Sequence, residues 1–313
     1  MKLGMILRTG WRAEHGLMAD PAAAFVTLAA EAAAAASAGV STLFAYDHLE
    51  GLPSDREASF FEAWTSLSAV AASVPRGTEL GTLVSGVSLR NVGLLAKQAV
   101  TLDAICGGHA ILGLGAGWYR DELRRFGISV SPFASRAQAV AQSIEAIRAL
   151  WLGRPVSMPV GSSRLEGALA SPAPVSGVMP IWVGGSGEAM REISTSLADG
   201  NNVGGTPDEV AAAVDDIEKR LALKGRSRDE FTISIEVQVV NEPTSGELER
   251  LAQRSGTTAE DFVTWNLVGD AAALRRRAHE YRTRGVDQLV MFAPLASGQD
   301  ATSELVAMVE RGI

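Results

Sequence analysis

Two rhythms of apolar and polar positions take turns along the chain. Short, dense apolar runs suit strands buried on both faces. Between them apolar residues recur every third or fourth position, the spacing of one helix face. "KLGMIL" (2–7) predicts the first strand, and Pro21 to Ala38 the first helix. "STLFAYD" (41–47) predicts a second strand with a helix from Phe60 to Ser73, and "LGTLVSG" (80–86) a third with a helix from Asn91 to Ala104. "AILGLG" (110–115) is the fourth. The next helix takes Ser131 as N-cap and Pro132 at its first position, and carries Val140, Ile144, Ile147 and Trp151 on one face.

From Arg154 to Met179 the rhythm gives way to Pro, Gly and Ser, which predicts an insertion, a hairpin or lid, rather than a linker. Alternation resumes with "PIWVGG" (180–185), a helix from Glu188 to Leu197, a short strand at "NNVG" (201–204) and a helix from Pro207 to Leu223. "FTISIEVQVV" (231–240), a helix from Ala271 to Arg284 and "DQLVMFAP" (287–294) close the series. Eight strands and about eight helices in 313 residues fit an α/β (β/α)8 TIM-like barrel better than a doubly wound sheet. The expectation is one barrel domain over residues 1–313, with an insertion at about 154–179.

In such a barrel the site lies at the C-terminal ends of the strands, where the unusual residues fall. "AYDHLEG" puts Asp47 and His48 at the end of strand two, "GAGWYRDE" follows strand four and "GGSGEA" follows strand five. His48 suits proton transfer near neutral pH or a hydrogen-bonded structural role. His15, His109 and His279 fall in a loop, a turn and a helix, and no two of the four histidines share a metal-ligand spacing. "GGSG" (184–187) running into a helix serves either as a plain turn or as an anion site, where backbone N–H groups and about half a positive charge meet a phosphate. Trp118 and Tyr119 could flank a flat ligand or plug the barrel mouth, while Asp121 and Glu122 read as acids in the first turn of a short helix. Gly113, Gly115 and Gly117 pose a question of their own. A strand that gives up side chains at alternate positions does so because something approaches its backbone closely.

Composition narrows the partners. A net charge of −8 argues against nucleic acid. The one long apolar stretch, "AAAFVTLAAEAAAAASAGV", is alanine-rich and holds Glu31, so a buried helix is expected and no membrane partner. Cys106 is the single cysteine, which excludes an internal disulfide or a cysteine-based zinc site and favours a reducing, cytoplasmic setting. No Gly-x-Ser-x-Gly elbow is present, and Lys2, Lys97, Lys219 and Lys224 are poorly placed for a Schiff base.

The segments "AYDHL", "LGTLVSGVSLRNVGLLAKQAVTLDAICGGHAILGLGAGW", "MPIWVGGSGEAMR", "LADGNNV" and "VGDAAALRRRAHEYRTRGVDQLVMF", in this order, resemble the luciferase-like monooxygenase superfamily, particularly its branch using the deazaflavin coenzyme F420. The resemblance implies a TIM-like barrel with an insertion and a cofactor, F420 or alternatively FMN, at the barrel mouth. By position it implies cofactor contacts at Leu83, Val84, Ser85, Gly115, Ala116, Gly117 and Trp118, and a phosphate-binding turn at Gly184, Gly185, Ser186 and Gly187. It implies a non-proline cis peptide near Leu83 and Val84, and glycines at 115 and 117 that make room for a ring. His48, beside Asp47, matches the proton-relaying histidine of some F420-dependent dehydrogenases.

The sugar-phosphate dehydrogenases of that branch have a tryptophan where Leu52 stands and a glutamate where Trp118 stands, which argues against a sugar phosphate here. The implied activity is hydride transfer between the deazaflavin C5 and a small organic substrate, in a protein whose relatives form homodimers. The alternatives are an FMN-dependent monooxygenase and, from another class, a non-catalytic flavin- or deazaflavin-binding protein.

Overall fold

In the computed structural model, which describes residues 1–11, 20–52 and 56–292, eight parallel strands close into a barrel. His15 and the predicted strand end at Ala293 and Pro294 lie outside the described residues. Local signals in the sequence account for the first half of the chain. Strand β1 (Lys2–Ile6) is followed by α1 (Pro21–Ser37), which Asp20 caps by accepting from the N–H groups of Ala22 and Ala23. Then come β2 (Thr42–Ala45) and α2 (Ala63–Val70), which starts three residues later than predicted because Glu62 serves as its cap. The third predicted strand is two pieces, β3 (Glu79–Thr82) and β4 (Ser85–Gly86), separated by a cis Leu83–Val84 peptide. Helix α3 (Val92–Ile105) leads to β5 (Ala110–Gly115), and a short α4 (Arg120–Arg125) leads to α5 (Phe133–Trp151).

Helix α5 corrects one expectation. Pro132 keeps an extended ψ of 155° and itself occupies the cap position, and no side chain caps the helix. Ser131 contributes its carbonyl instead, which accepts from the Arg136 guanidinium. The predicted face is as expected, with Val140, Ile144, Ile147 and Trp151 all buried.

The insertion is a hairpin. Strands β6 (Val156–Val160) and β7 (Ser163–Ala168) pair antiparallel around a two-residue loop, Gly161–Ser162. The barrel resumes with β8 (Ile181–Gly184), α6 (Glu188–Leu197), β9 (Gly200–Val203) and α7 (Pro207–Leu223), the last opened by a reciprocal Thr206–Glu209 capping box. Strand β10 (Thr232–Asn241) outruns the barrel: its first half pairs with β9 and its end with β11 (Leu267–Gly269). Helices α8 (Ser245–Arg254) and α9 (Ala259–Trp265) fill that excursion, and α10 (Ala271–Thr283) and β12 (Gln288–Phe292) complete the described chain. Around the barrel the order is β1, β2, β3, β5, β8, β9, β10, β12 and back to β1.

The period-2 alternation of the strands separates two cores. Outward residues such as Leu43, Leu80, Leu112 and Leu289 meet Leu28, Leu67, Leu95, Ile144 and Ile147 of the helices. Inward residues Ile6, Phe44, Ile111, Trp182, Val290 and Phe292 fill the barrel. Each fully buried leucine or isoleucine contributes about 1.5–3 kcal/mol, so the barrel is a packed body rather than a pore.

One buried group gives the outer shell a pH limit. Tyr281 of α10 is fully buried and donates to the carbonyls of Gly205 and Trp265 at 3.2 and 3.3 Å. Burial is the leading cause that pushes its phenol up to about 12. The unfolded chain releases this proton near pH 10, so the stability tied to the neutral phenol is intact below pH 10 and is lost as pH rises through 12. Alkaline denaturation of wild type and Tyr281→Phe should diverge over that window, the wild type losing about 2 kcal/mol more by pH 12. Parallel curves would show that the phenol does not govern it.

Candidate active site

A cavity of about 630 Å³ opens at the C-terminal ends of the strands, where the sequence places its unusual residues. Asp47, His48, Leu83, Val84, Gly115, Ala116, Gly117, Trp118, Gly184, Gly185 and Gly187 all line it. Ser85 and Ser186 do not. Ser85 is buried beneath the wall, where its hydroxyl donates to Thr82 and receives the Trp64 indole N–H. Ser186 turns to the far side of its loop, bonding both the N–H and the carbonyl of Gly204.

His48 stacks on Trp11, ring centroids 4.5 Å apart and planes 10° from parallel, and meets Trp118 edge-to-face with centroids 5.9 Å apart. Its Nδ1 lies 2.9 Å from Oε2 of Glu122, a carboxylate only 2% exposed. The other oxygen, Oε1, accepts from the backbone N–H groups of Leu49 and Glu50 at 2.6 and 3.2 Å. Those two donors lock the carboxylate, and an ionised carboxylate can only accept. In the neutral imidazole Nδ1 therefore carries the proton, and Nε2 is the nitrogen with a lone pair to offer a ligand. In the sequence Glu122 reads only as an acid in the first turn of a short helix. Its contact with His48 spans 74 positions, and no local signal announces it.

Asp47 is engaged elsewhere. Its carboxylate is held by both terminal nitrogens of Arg90 and by the Trp64 indole at 3.4 Å. Burial disfavours the Arg90 cation, but the Asp47 hydrogen bonds outweigh it, so the guanidinium pKa is raised. The buried pair anchors the loop that follows β2 and thereby fixes the backbone leading into His48.

The alternate glycines of β5 have a direct explanation. A Cβ on Gly113 would stand 2.1 Å from the Thr82 carbonyl oxygen and 2.8 Å from Val84 Cγ1. One on Gly115 would stand 2.6 Å from Val84 Cγ2, and one on Gly184 2.8 Å from the same atom. The close neighbour is Val84 itself, seated among three glycines from two strands and forming part of the cavity floor. Gly117 answers a different need, a backbone φ of +74° that L side chains avoid. Above this floor the wall is bare backbone at Gly115, Gly117 and Gly185, and aromatic at Trp11, Trp118 and Tyr119, the last two stacked 5.2 Å apart.

Two features of the cavity favour negative charge. Helix α6 begins at Gly187 without a side-chain cap, so its N-terminal dipole end is open to an anion. Arg136 of α5 is 8% exposed and donates only to two carbonyls, of Ala116 at 2.9 Å and of Ser131. No carboxylate among the described residues pairs with it. Arg136, Tyr46 and Glu236 were not singled out in the sequence. Tyr46 donates to Glu236 of β10 at the cavity wall, and no motif marks that pair. Among the described residues no group of three or more His, Cys, Asp or Glu side chains could hold a metal, and no helix is long and apolar enough to cross a membrane.

Comparison with known proteins agrees with this architecture. An F420-dependent secondary alcohol dehydrogenase, solved with an F420–acetone adduct, superposes over 100% of this chain and 98% of its own, with TM-score 0.85 at 13% identity. Monooxygenase RslO1 from Streptomyces bottropensis superposes over the same shares with TM-score 0.81 at 18% identity. In sequence, a 5,10-methylenetetrahydromethanopterin reductase from Archaeoglobus fulgidus is 29% identical over 167 residues, 53% of this chain and 48% of that one. The match spans less than two thirds of the curated relatives, 65% of an uncharacterized Mycobacterium tuberculosis protein being among the larger shares. The sequence pattern of the luciferase-like monooxygenases matches residues 1–303, and the chain belongs to that family of oxidoreductases and monooxygenases.

Proposed function

We propose that this protein is an F420-dependent oxidoreductase that moves a hydride between the deazaflavin and a small organic substrate. The observation that carries the reading is the His48–Glu122 pair, 2.9 Å apart in the wall of the cavity. The cavity's own residues fit a flat ring with a phosphate. Val84 and its glycines form a smooth floor, and the buried Arg136, with the open N-terminus of α6, supplies positive charge that no carboxylate among the described residues pairs with. When bound, the deazaflavin supplies or accepts a hydride at its C5.

The chain's part is to place the substrate and to move a proton. Nε2 of His48 exchanges a proton with the substrate heteroatom whose carbon gains or loses hydride, and Glu122 stabilises the imidazolium that forms. Trp11 stacks on the imidazole and Trp118 meets it edge-on, which leaves 14% of the side chain open to the cavity.

An FMN-dependent monooxygenase would use the same floor and the same Arg136, since both cofactors carry a phosphate. Parallel fluorescence titrations of the purified protein with F420 and FMN separate the two readings. Tight binding of F420 with weak binding of FMN is expected. The reverse result would move the protein to the oxygen-using branch, and binding of neither would remove both.

A further inference from the structure

The proton exchange at His48 leaves most of Trp118 unused. A residue that plugged the barrel mouth would be buried, yet Trp118 lines the cavity with 61% of its surface exposed. It is nevertheless held by three other rings. Tyr119 stacks on it with planes 17° apart, and the His48 and Trp11 rings meet it edge-to-face at 5.9 and 6.2 Å. Tyr119 is fixed in turn. It is buried, and the Arg125 guanidinium sits 5.3 Å from its ring centroid and donates to its hydroxyl at 2.8 Å. Arg125 is anchored by Glu50, two residues past His48, where its Nε donates at 2.7 Å. One scaffold therefore fixes both the proton-exchanging imidazole and an open indole beside it. A side chain already locked in place loses little freedom when a ligand packs on it. The charges around it are matched: Glu122 by His48, Arg125 by Glu50 and Asp121 by Arg124. An ionised ligand group would find no counter-charge among them.

We propose that Trp118 sets substrate specificity, and that the substrate is a flat, uncharged aromatic ketone or the matching alcohol, its ring stacked on the indole. This rests on the hydride-transfer reading, which puts the reacting carbon beside His48. In the reducing direction the carbonyl carbon gains the hydride that the reduced cofactor loses. The carbonyl oxygen gains the proton from Nε2 of the His48 imidazolium, and the reverse steps oxidise the alcohol. The aromatic ring joined to that carbon then falls on Trp118, while the Val84 floor is left to the cofactor.

Two ketones with one carbon skeleton test this, 2-acetylnaphthalene, which is flat, and 2-acetyldecalin, which is puckered. Each is titrated by calorimetry against wild type, Trp118→Phe and Trp118→Leu, with and without F420. Position 118 is exposed, so neither substitution opens a void in the core. Wild type is expected to bind the flat ketone about five- to tenfold more tightly than the puckered one. Trp118→Phe should keep most of that ratio and Trp118→Leu should abolish it, with F420 affinity the same in all three proteins. Equal binding of the two ketones to wild type, or a ratio that survives Trp118→Leu, would overturn the assignment. So would a loss of F420 affinity in Trp118→Leu as large as that for the flat ketone, because Trp118 would then serve the cofactor. Failure of F420 to bind, with the ketone ratio intact in the protein alone, would overturn the hydride-transfer reading and leave the stacking site in place.

Discussion

Glu122→Gln should reverse the tautomer of His48 and lower turnover about 100-fold or more, with the fold unchanged. The amide oxygen of the new side chain stays where the N–H groups of Leu49 and Glu50 demand an acceptor. Its NH₂ then faces His48 Nδ1, which must accept, so the imidazole proton moves to Nε2 and the lone pair needed at the cavity is gone. Replacement of His48 by asparagine removes the proton-exchanging group outright, and a loss of about 10²–10⁴-fold is expected. Cofactor titrations should remain close to wild type in both variants. Nitrogen-15 spectra of the imidazole report the tautomer independently of activity. A Glu122→Gln protein with unchanged tautomer and unchanged rate would remove the pair from the mechanism. A His48 variant that binds cofactor and turns over normally would leave a binding protein without this chemistry.

The largest effect on stability should come from Gly113→Ala. Its Cβ would stand 2.1 Å from the Thr82 carbonyl oxygen, a backbone atom that cannot rotate away. A loss of about 3 kcal/mol or more is expected, at the upper end of overpacking costs. Gly115→Ala differs in kind, because its close contact is with the Val84 side chain alone, 2.6 Å from Cγ2. It should cost about 1–3 kcal/mol by itself and much less in a Val84→Ala background. Urea denaturation of the four proteins in that cycle measures the coupling. Equal costs in both backgrounds would show that Val84 is not what keeps position 115 a glycine.

Both variants touch the boundary of what can be read from a linear chain. Elements with local stop and start signals were legible. Helix α7 begins at Pro207 as predicted, β5 runs over the predicted six residues, and α6 keeps both predicted ends. The eight-strand count survives because β4, β11 and the β6–β7 hairpin lie off the closed ring. The segment from 241 to 267 carries no predicted element, although Thr244 and Glu247 form a capping box whose spacing is visible in the sequence. Its apolar faces pack around a satellite core of Val240, Leu251 and Phe262, and each of its short helices buries only one or two side chains. In the site, position was legible and partnership was not. His48 and the turn after β8 were located because strand ends converge in a barrel. Glu122, Arg136 and the duty of Asp47 depend on contacts across 74, 20 and 43 residues. Gly115 was expected to make room for a ring, yet its space is taken first by Val84, and Gly113 meets the Thr82 carbonyl before anything else.

The seating of Val84 also bears on how such a protein diverges. Its neighbours come from β5 and β8, and each tolerates only hydrogen while the valine stays. Enlarging Gly115 or Gly184 while the valine stays costs stability, so the floor is held together as a block. Trp118, at 61% exposure on the rim, is under no such constraint. Descendants of one ancestor can therefore explore new substrates by single changes at the mouth while the surface beneath the ring stays the same.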